Sequence, residues 1–260
     1  MGAARDLRRL AAGVKWRVGY LVGTPVPAEY DDDFAATFRR VRRHTLTSPA
    51  RVASLCDSVD YLVRNEIDGD IAECGVWKGG SMMAAALTLL RLGDTSRHLY
   101  LFDTYAGMTE PTEEDAPSAY DGFTSPLKRW KRITGKGREW AGVSLPEVQA
   151  AIESTGYPKD RIHCIAGKVE DTIPSQSPAG PIALLRLDTD WYESTKHELE
   201  HLYPQLVDGG VLIIDDYGHY EGARKAVDEY FAAIGETPLL NRIDYTGRVA
   251  VKASRTERSS

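Results

Sequence analysis

A chain of 260 residues with 42% hydrophobic side chains suffices for one large α/β domain and falls short of two full-sized ones. Its formal net charge of -6 excludes a broad basic footprint for nucleic acid, and the run FRRVRRH at 38–44 reads as a solvated helix face rather than a docking patch. Cys56, Cys74 and Cys164 are widely spaced within apolar segments, a pattern of reduced thiols in a cytoplasmic protein and not of a disulfide or zinc framework.

In chain order, the start MGAARDLRRLAAGVKWRVGYLVG has its apolar residues interrupted by Arg5, Arg8, Arg9, Lys15 and Arg17. It lacks the apolar centre of a signal peptide and is too short to span a membrane. With GTPVPAEYDDD and the arginine run it forms a helical appendage over 1–46, a surface suited to a partner subunit. The domain proper spans 47–254. It opens with a helix capped by Thr47 or Ser48, with Pro49 at its first position and Val52, Leu55, Val59, Leu62 and Val63 at helical spacing. Strands at 69–76, 97–103, 161–167, 182–188 and 211–217 then alternate with helices at 81–92, 144–155, 194–206 and 221–234. Ser144 and Glu147 make a capping box for the second of these helices.

That alternation specifies a doubly wound, mostly parallel sheet with helices on both faces, and LLNRIDYTGRVAVKA adds a C-terminal antiparallel hairpin around 245–247. The long irregular stretch 104–143, rich in Pro, Gly, Asp, Glu and Trp, reads as a lid over the site.

In ECGVWKGGS (73–81) a strand ends at glycines and a helix begins near Ser81, the place where doubly wound sheets bind nucleotides. Gly75, Gly79 and Gly80 lack the Gly-x-Gly-x-x-Gly order of a dinucleotide site, which argues against nicotinamide-dependent oxidoreduction. Glu73 repels phosphate and welcomes an ammonium or hydroxyl, and Asp103 ends the next strand where an acid holds ribose hydroxyls. Together they suggest S-adenosylmethionine; the competing reading pairs Glu73 with a neighbouring base and makes the glycines an ordinary tight turn. At the end of the third strand Val169, Glu170 and Asp171 stand where adenine would lie, and a helix N-terminal acid explains Glu170 and Asp171 equally well.

LLRLDTDWYEST (184–195) and IIDDY (213–217) each run from buried apolar residues into acid. On neighbouring parallel strands, Asp188, Asp190, Asp215 and Asp216 face one crevice on the carboxyl edge of the sheet. Crowded carboxylates raise one another's pKa unless a cation neutralises them, and oxygen-only ligands suit Mg²⁺. The plainer alternative is a set of solvated strand-end acids. A metal there binds two adjacent hydroxyls and lowers the pKa of one beside a carboxylate base, which is the chemistry of O-methyl transfer.

DIAECGVWKGGSMMAAALTLL, RHLYLFDTYAGMTEPTEED and LLRLDTDWYESTKHELEHLYPQLVDGGVLIIDDYGHYEGARKAVDEYF resemble the macrocin O-methyltransferase family, over roughly 45–235. The resemblance implies a class I, seven-stranded methyltransferase fold, S-adenosylmethionine, Mg²⁺ dependence and a homo-oligomer. It also implies a sugar hydroxyl of a macrolide- or aminocoumarin-type glycoside as acceptor, with no nucleic-acid or membrane partner. It places metal ligands on Asp188, Asp215 and Asp216, the base on Asp190, the methionine end of the cofactor at Glu73, Gly75 and Ser81, and the ribose at Asp103. Catechol-type enzymes carry a lysine three residues after the first metal aspartate; Trp191 stands there instead. Another small diol or phenol, or cofactor binding without catalysis, are the alternative readings. His219 follows the metal pair closely and reads as a structural donor more readily than as a proton carrier.

Overall fold

The computed structural model describes residues 29–116 and 125–254. Its elements are α1 (Asp32–Val41), α2 (Pro49–Arg64), β1 (Asp70–Cys74), α3 (Gly80–Leu92), β2 (Leu99–Asp103), α4 (Pro126–Thr134), α5 (Leu145–Glu153), β3 (Ile162–Ala166), α6 (Val169–Thr172), β4 (Ile182–Leu187), α7 (Tyr192–Leu202), β5 (Leu206–Ile214), α8 (Glu221–Ile234), β6 (Asn241–Arg242) and β7 (Arg248–Val251). The seven strands lie in the order β3-β2-β1-β4-β5-β7-β6, parallel from β3 to β5 and antiparallel where β7 joins β5 and β6. Seven strands, parallel at one end and closed by an antiparallel pair, match the fold class expected from the sequence.

The core divides by strand parity. Ile71, Leu99, Leu101, Leu184, Val211 and Ile213 point to the face covered by α1, α2, α3 and α5, while Ala72, Phe102, Leu185, Leu212 and Ile214 point to the face covered by α7 and α8. Such two-sided burial is why these strands read as near-continuous apolar runs.

The N-terminal boundary is the first difference from the sequence reading. Phe34, Phe38 and Val41 of α1 are buried in the same core cluster as α2 and the sheet, so 32–41 is part of the domain and not a detached appendage. Asp31 caps this helix by accepting from the Phe34 N–H at 2.7 Å, and Arg39, Arg40 and Arg43 point to solvent as the solvated-face reading required. The amphipathic start at 1–23 lies outside the described residues.

The helix expected over 194–206 ends earlier. Pro204 cannot donate to the helix ladder, so α7 stops at Leu202, a short 3-10 turn follows, and β5 begins at Leu206 rather than 211. At the other end it begins two residues earlier than expected: the chain turns at Trp191, and Asp115, from the stretch read as a lid, accepts the Tyr192 N–H at 2.7 Å.

The expected lid is also more structured than its composition suggested. It contains α4 and is tied to the body, with the Trp130 indole donating to Met108 O, the Trp191 indole to Thr109 O, and the Glu221 N–H to Ala116 O. Residues 117–124 of that stretch lie outside the described residues.

Candidate active site

A crevice of about 780 Å³ opens at the carboxyl edge of the sheet. Its lining includes Gly75, Val76, Trp77, Ser81 and Asp103 of the glycine turn and β2, the acids Asp188, Asp190, Asp215 and Asp216, and Met108, Arg129, Trp140, Trp191 and Tyr220. Val169 and Glu170 also border it. Every expected site residue except Glu73 and Asp171 therefore lines one cavity.

Gly75 has φ +82°, and a Cβ there would sit 2.0 Å from the carbonyl oxygen of Asp188. Its glycine is required by the approach of the β4 backbone, since the Asp188 N–H donates to Cys74 O at 2.8 Å. Close approach of a ligand is thus not the first demand on this residue. Asp103 holds the same turn: one carboxylate oxygen accepts the Val76 and Trp77 N–H groups at 2.7 and 2.9 Å, the other the Tyr105 N–H at 2.8 Å. It still borders the crevice, although Oδ2 already has both of its acceptor positions filled by the turn. Ser81 sits in the first turn of α3, and Glu170 accepts from Ser194 Oγ at 2.7 Å.

Glu73 is a correction. It is 1% exposed, beneath the crevice floor, and is bonded by the Arg186 guanidinium, its register neighbour across β1 and β4. Of the two readings of Glu73, the pairing with a neighbouring base is realised through Oε1, while Oε2 is buried without a hydrogen-bond partner. Burial pushes its pKa up to about 7 against the lowering pull of Arg186.

Arg186 was not singled out from sequence. From the middle of a fully buried strand it reaches Glu73, Asp188 Oδ2 at 2.8 Å and Asp215 Oδ1 at 2.5 Å. The available signal was a base inside an otherwise apolar run, which a chain tolerates only where carboxylates await it. Arg51, in the first turn of α2, was missed as well; its Nη1 bonds Asp215 Oδ2.

Asp188, Asp215 and Asp216 each offer an oxygen, and these atoms all lie within 4.8 Å of one another. Burial, with the neighbouring carboxylates, holds the Asp188 and Asp216 carboxyls well above the usual range, against the lowering pull of Arg186 on Asp188 and of Arg51 on Asp216. Asp190 is pushed up to about 7, first by burial and then by the Asp188 charge, and it hydrogen-bonds Asp216. Its φ of +68° places it in the left-handed region, which Asp tolerates better than bulkier residues. Three carboxylates with no nitrogen or sulfur donor form a hard, oxygen-only set, which fits a divalent cation of the Mg²⁺ kind.

Trp140 meets Trp191 edge-on with centroids 6.0 Å apart, Trp191 meets Tyr220 at 5.1 Å, and the Arg129 guanidinium lies 4.3 Å from the centre of the Trp140 ring. Trp140, Trp191 and Tyr220 accordingly form an aromatic wall of the crevice that is joined to the segment 104–143. The Tyr245 hydroxyl and His219 Nδ1 are 3.1 Å apart at its mouth.

The macrocin O-methyltransferase (TylF) family model matches residues 34–252. A Streptomyces olivaceus protein, 8-demethyl-8-(2,3-dimethoxy-alpha-L-rhamnosyl)-tetracenomycin-C 4'-O-methyltransferase, is 34% identical over 204 residues, covering 78% of this chain and 74% of that protein. Demethyldecarbamoylnovobiocin O-methyltransferase of Streptomyces niveus is 30% identical over 205 residues, 78% of this chain and 74% of its own. Among solved structures, the O-methyltransferase NovP superposes with a TM-score of 0.71 at 26% identity, covering 95% of this chain and 98% of that one. The match from residue 34 agrees with α1 belonging to the domain.

Proposed function

The chain belongs to the macrocin O-methyltransferase family, and from that premise we propose that it moves a methyl group from S-adenosylmethionine to a sugar hydroxyl of a glycosylated natural product of macrolide or aminocoumarin type. Mg²⁺ is held by Asp188, Asp215 and Asp216, and Asp190 is the base. The observation that supports this best is the meeting of three ligand-competent carboxylates and a fourth, Asp190, in one crevice that also contains the glycine turn and an aromatic wall.

When bound, S-adenosylmethionine would supply the methyl on its sulfonium, and Mg²⁺ held by Asp188, Asp215 and Asp216 would lower the pKa of an acceptor hydroxyl. Gly75, Ser81 and Asp103 line the part of the crevice assigned to the methionine and ribose of the cofactor, and Val169 and Glu170 the part assigned to adenine. Asp190 accepts the hydroxyl proton as the oxygen attacks the methyl carbon and the carbon–sulfur bond breaks. Trp140, Trp191 and Tyr220 exclude water and present ring faces to the apolar face of the sugar or its aglycone. The sulfonium and the acidic centre are complementary in charge, which favours the cationic cofactor over its neutral product.

The same reading gives a cytoplasmic homo-oligomer with neither nucleic-acid nor membrane partner, and sedimentation of the purified chain measures the assembly. No helix among the described residues is long and apolar enough to cross a membrane. The deciding experiment incubates the protein, Mg²⁺ and S-adenosylmethionine with macrolide, aminocoumarin and simple sugar glycosides, read by mass spectrometry for one added methyl. One product that disappears with EDTA supports the assignment; no product from any glycoside, with a simple phenol methylated instead, overturns it.

A further inference from the structure

We propose that Arg51 is a positioning residue which, held from behind by Asp244, fixes Asp215 in the orientation in which that carboxylate serves a divalent cation. The proposal rests on the metal reading of the aspartate cluster given above and assigns to it a support that spans the two ends of the domain.

Both oxygens of Asp215 are engaged by guanidinium groups, Oδ1 by Arg186 and Oδ2 by Arg51. A carboxylate oxygen has acceptor capacity for two partners. The two arginines therefore leave one direction open on each oxygen, and so set how Asp215 presents itself to Asp188 and Asp216. Arg186 does this from within the sheet. Arg51 does it from α2, on the same face of the sheet, since Glu73, Arg186 and Asp215 share the strand parity of the core that α2 covers.

Arg51 is itself held on every side. Its N–H donates to Ser48 Oγ at 3.2 Å, and Ser48 Oγ donates to Asp244 Oδ2 at 2.7 Å. Arg51 Nε lies 3.1 Å from that same Asp244 oxygen, an ion-pair distance without hydrogen-bond alignment. Asp244 Oδ1 is fixed by the Thr246 and Gly247 N–H groups, both at 2.9 Å. Thr246 Oγ1 donates to the backbone carbonyl of Asp215, and a Cβ on Gly247 would meet the Arg51 Cδ at 3.0 Å. The turn between β6 and β7 thus packs on the stem of Arg51 and touches Asp215 directly. With only 14% of its side chain exposed, Arg51 has little freedom to swing away.

Charge and geometry make opposite demands, and this makes the proposal testable. As a cation, Arg51 repels a divalent ion; as a fork joining Asp215 to Asp244, it orders a ligand for one. Lysine keeps the charge and loses the planar fork. Outer partners of metal-bound carboxylates are worth 10- to 100-fold in metal affinity, so Arg51→Lys is expected to weaken binding by about tenfold or more.

The test titrates the full-length protein with Mn²⁺ and with Mg²⁺ by calorimetry, and with S-adenosylmethionine as control, for wild type, Arg51→Lys and Asp244→Asn. Weaker binding of the ion in both variants, with cofactor affinity unchanged, supports the proposal. Unchanged or tighter binding of the ion by Arg51→Lys overturns it, as does an equal loss of cofactor and ion affinity, the mark of a general structural role. Should Arg51→Lys fail to fold, Asp244→Asn, which releases the other end of Arg51, decides on the same readout. A wild type that binds neither ion removes the metal reading and this proposal together; a wild type that binds, beside an unaltered Arg51→Lys, removes this proposal alone.

Discussion

Glu73 and Arg186 are register partners on the adjacent parallel strands β1 and β4, and their side chains form a buried ion pair under the floor of the crevice. Arg186 is also the shared partner of Asp188 and Asp215, so the pair lies beneath the acidic centre and levels it. Removing the arginine strands Glu73 and Asp188 and leaves Asp215 with Arg51 alone, and Arg186→Met is expected to cost about 3–5 kcal/mol, the range for a broken buried pair. Urea unfolding at pH 7 measures it.

Glu73→Gln has a different signature. The folded pKa of Glu73 stands at about 7, raised from 4.5 by burial. The folded chain therefore holds this proton more tightly than the unfolded one, and the resulting stability is full below the unfolded pKa and declines as pH rises through about 7. Glutamine cannot ionise, so the variant's stability relative to wild type improves as pH rises from 5 to 8. Because Glu73 makes no contact with the crevice, its affinity for S-adenosylmethionine remains within a few-fold of wild type; calorimetry checks this.

Gly75 answers to the backbone of β4. Alanine there combines a left-handed φ of +82° with a Cβ 2.0 Å from Asp188 O. The conformational part alone costs about 1–2 kcal/mol, and the clash displaces Asp188 from the metal cluster. Gly75→Ala is expected to melt several degrees lower and to lose divalent-ion affinity even where it folds.

Much of this was legible because parallel strands buried on both faces must be apolar throughout, so the acids ending β4 and β5 stand out, and the sheet order brings them together. Arg186 left a trace as the one base inside IALLRL, whose partners were hidden because pairing between β1 and β4 is not written in either strand. Arg51 left none: a first-turn arginine on an amphipathic helix looks solvated until a residue 164 positions away meets it. Asp103 and Gly75 were found at the right places for another reason, since both first serve the turn itself. The early α1 escaped because Phe34, Phe38 and Val41 are few and lie among charges, and only tertiary packing shows that their stripe faces the core.

The aromatic wall yields a separable prediction. Trp140 touches Trp191, carries Arg129 on its face and lines the crevice. Trp140→Ala removes an aromatic contact worth about 0.5–1.5 kcal/mol beyond its area, so KM for the glycoside rises about two- to tenfold. The KM for S-adenosylmethionine stays where it was. A parallel rise in both would show that the tryptophan holds the whole lid in place and does not read the acceptor.

Asp188 and Asp190 stand two residues apart at the end of one strand and are expected to fail differently. Asp188 joins the ligand cluster and the Arg186 pair, so Asp188→Ala loses ion binding and activity together. Asp190 is outside that ligand group, has a pKa raised to about 7, and faces the crevice. Asp190→Asn keeps the shape and both affinities while kcat falls by about 10²–10⁴. In wild type the base form is the ionised one, so kcat rises with pH until Asp190 is deprotonated; a cation on the neighbouring carboxylates stabilises that ionised form and moves the rise below 7. The asparagine variant has lost this limb. A pH profile of Asp190→Asn that keeps the wild-type rise, or an Asp190→Asn enzyme of full activity, assigns the proton to another group in the crevice.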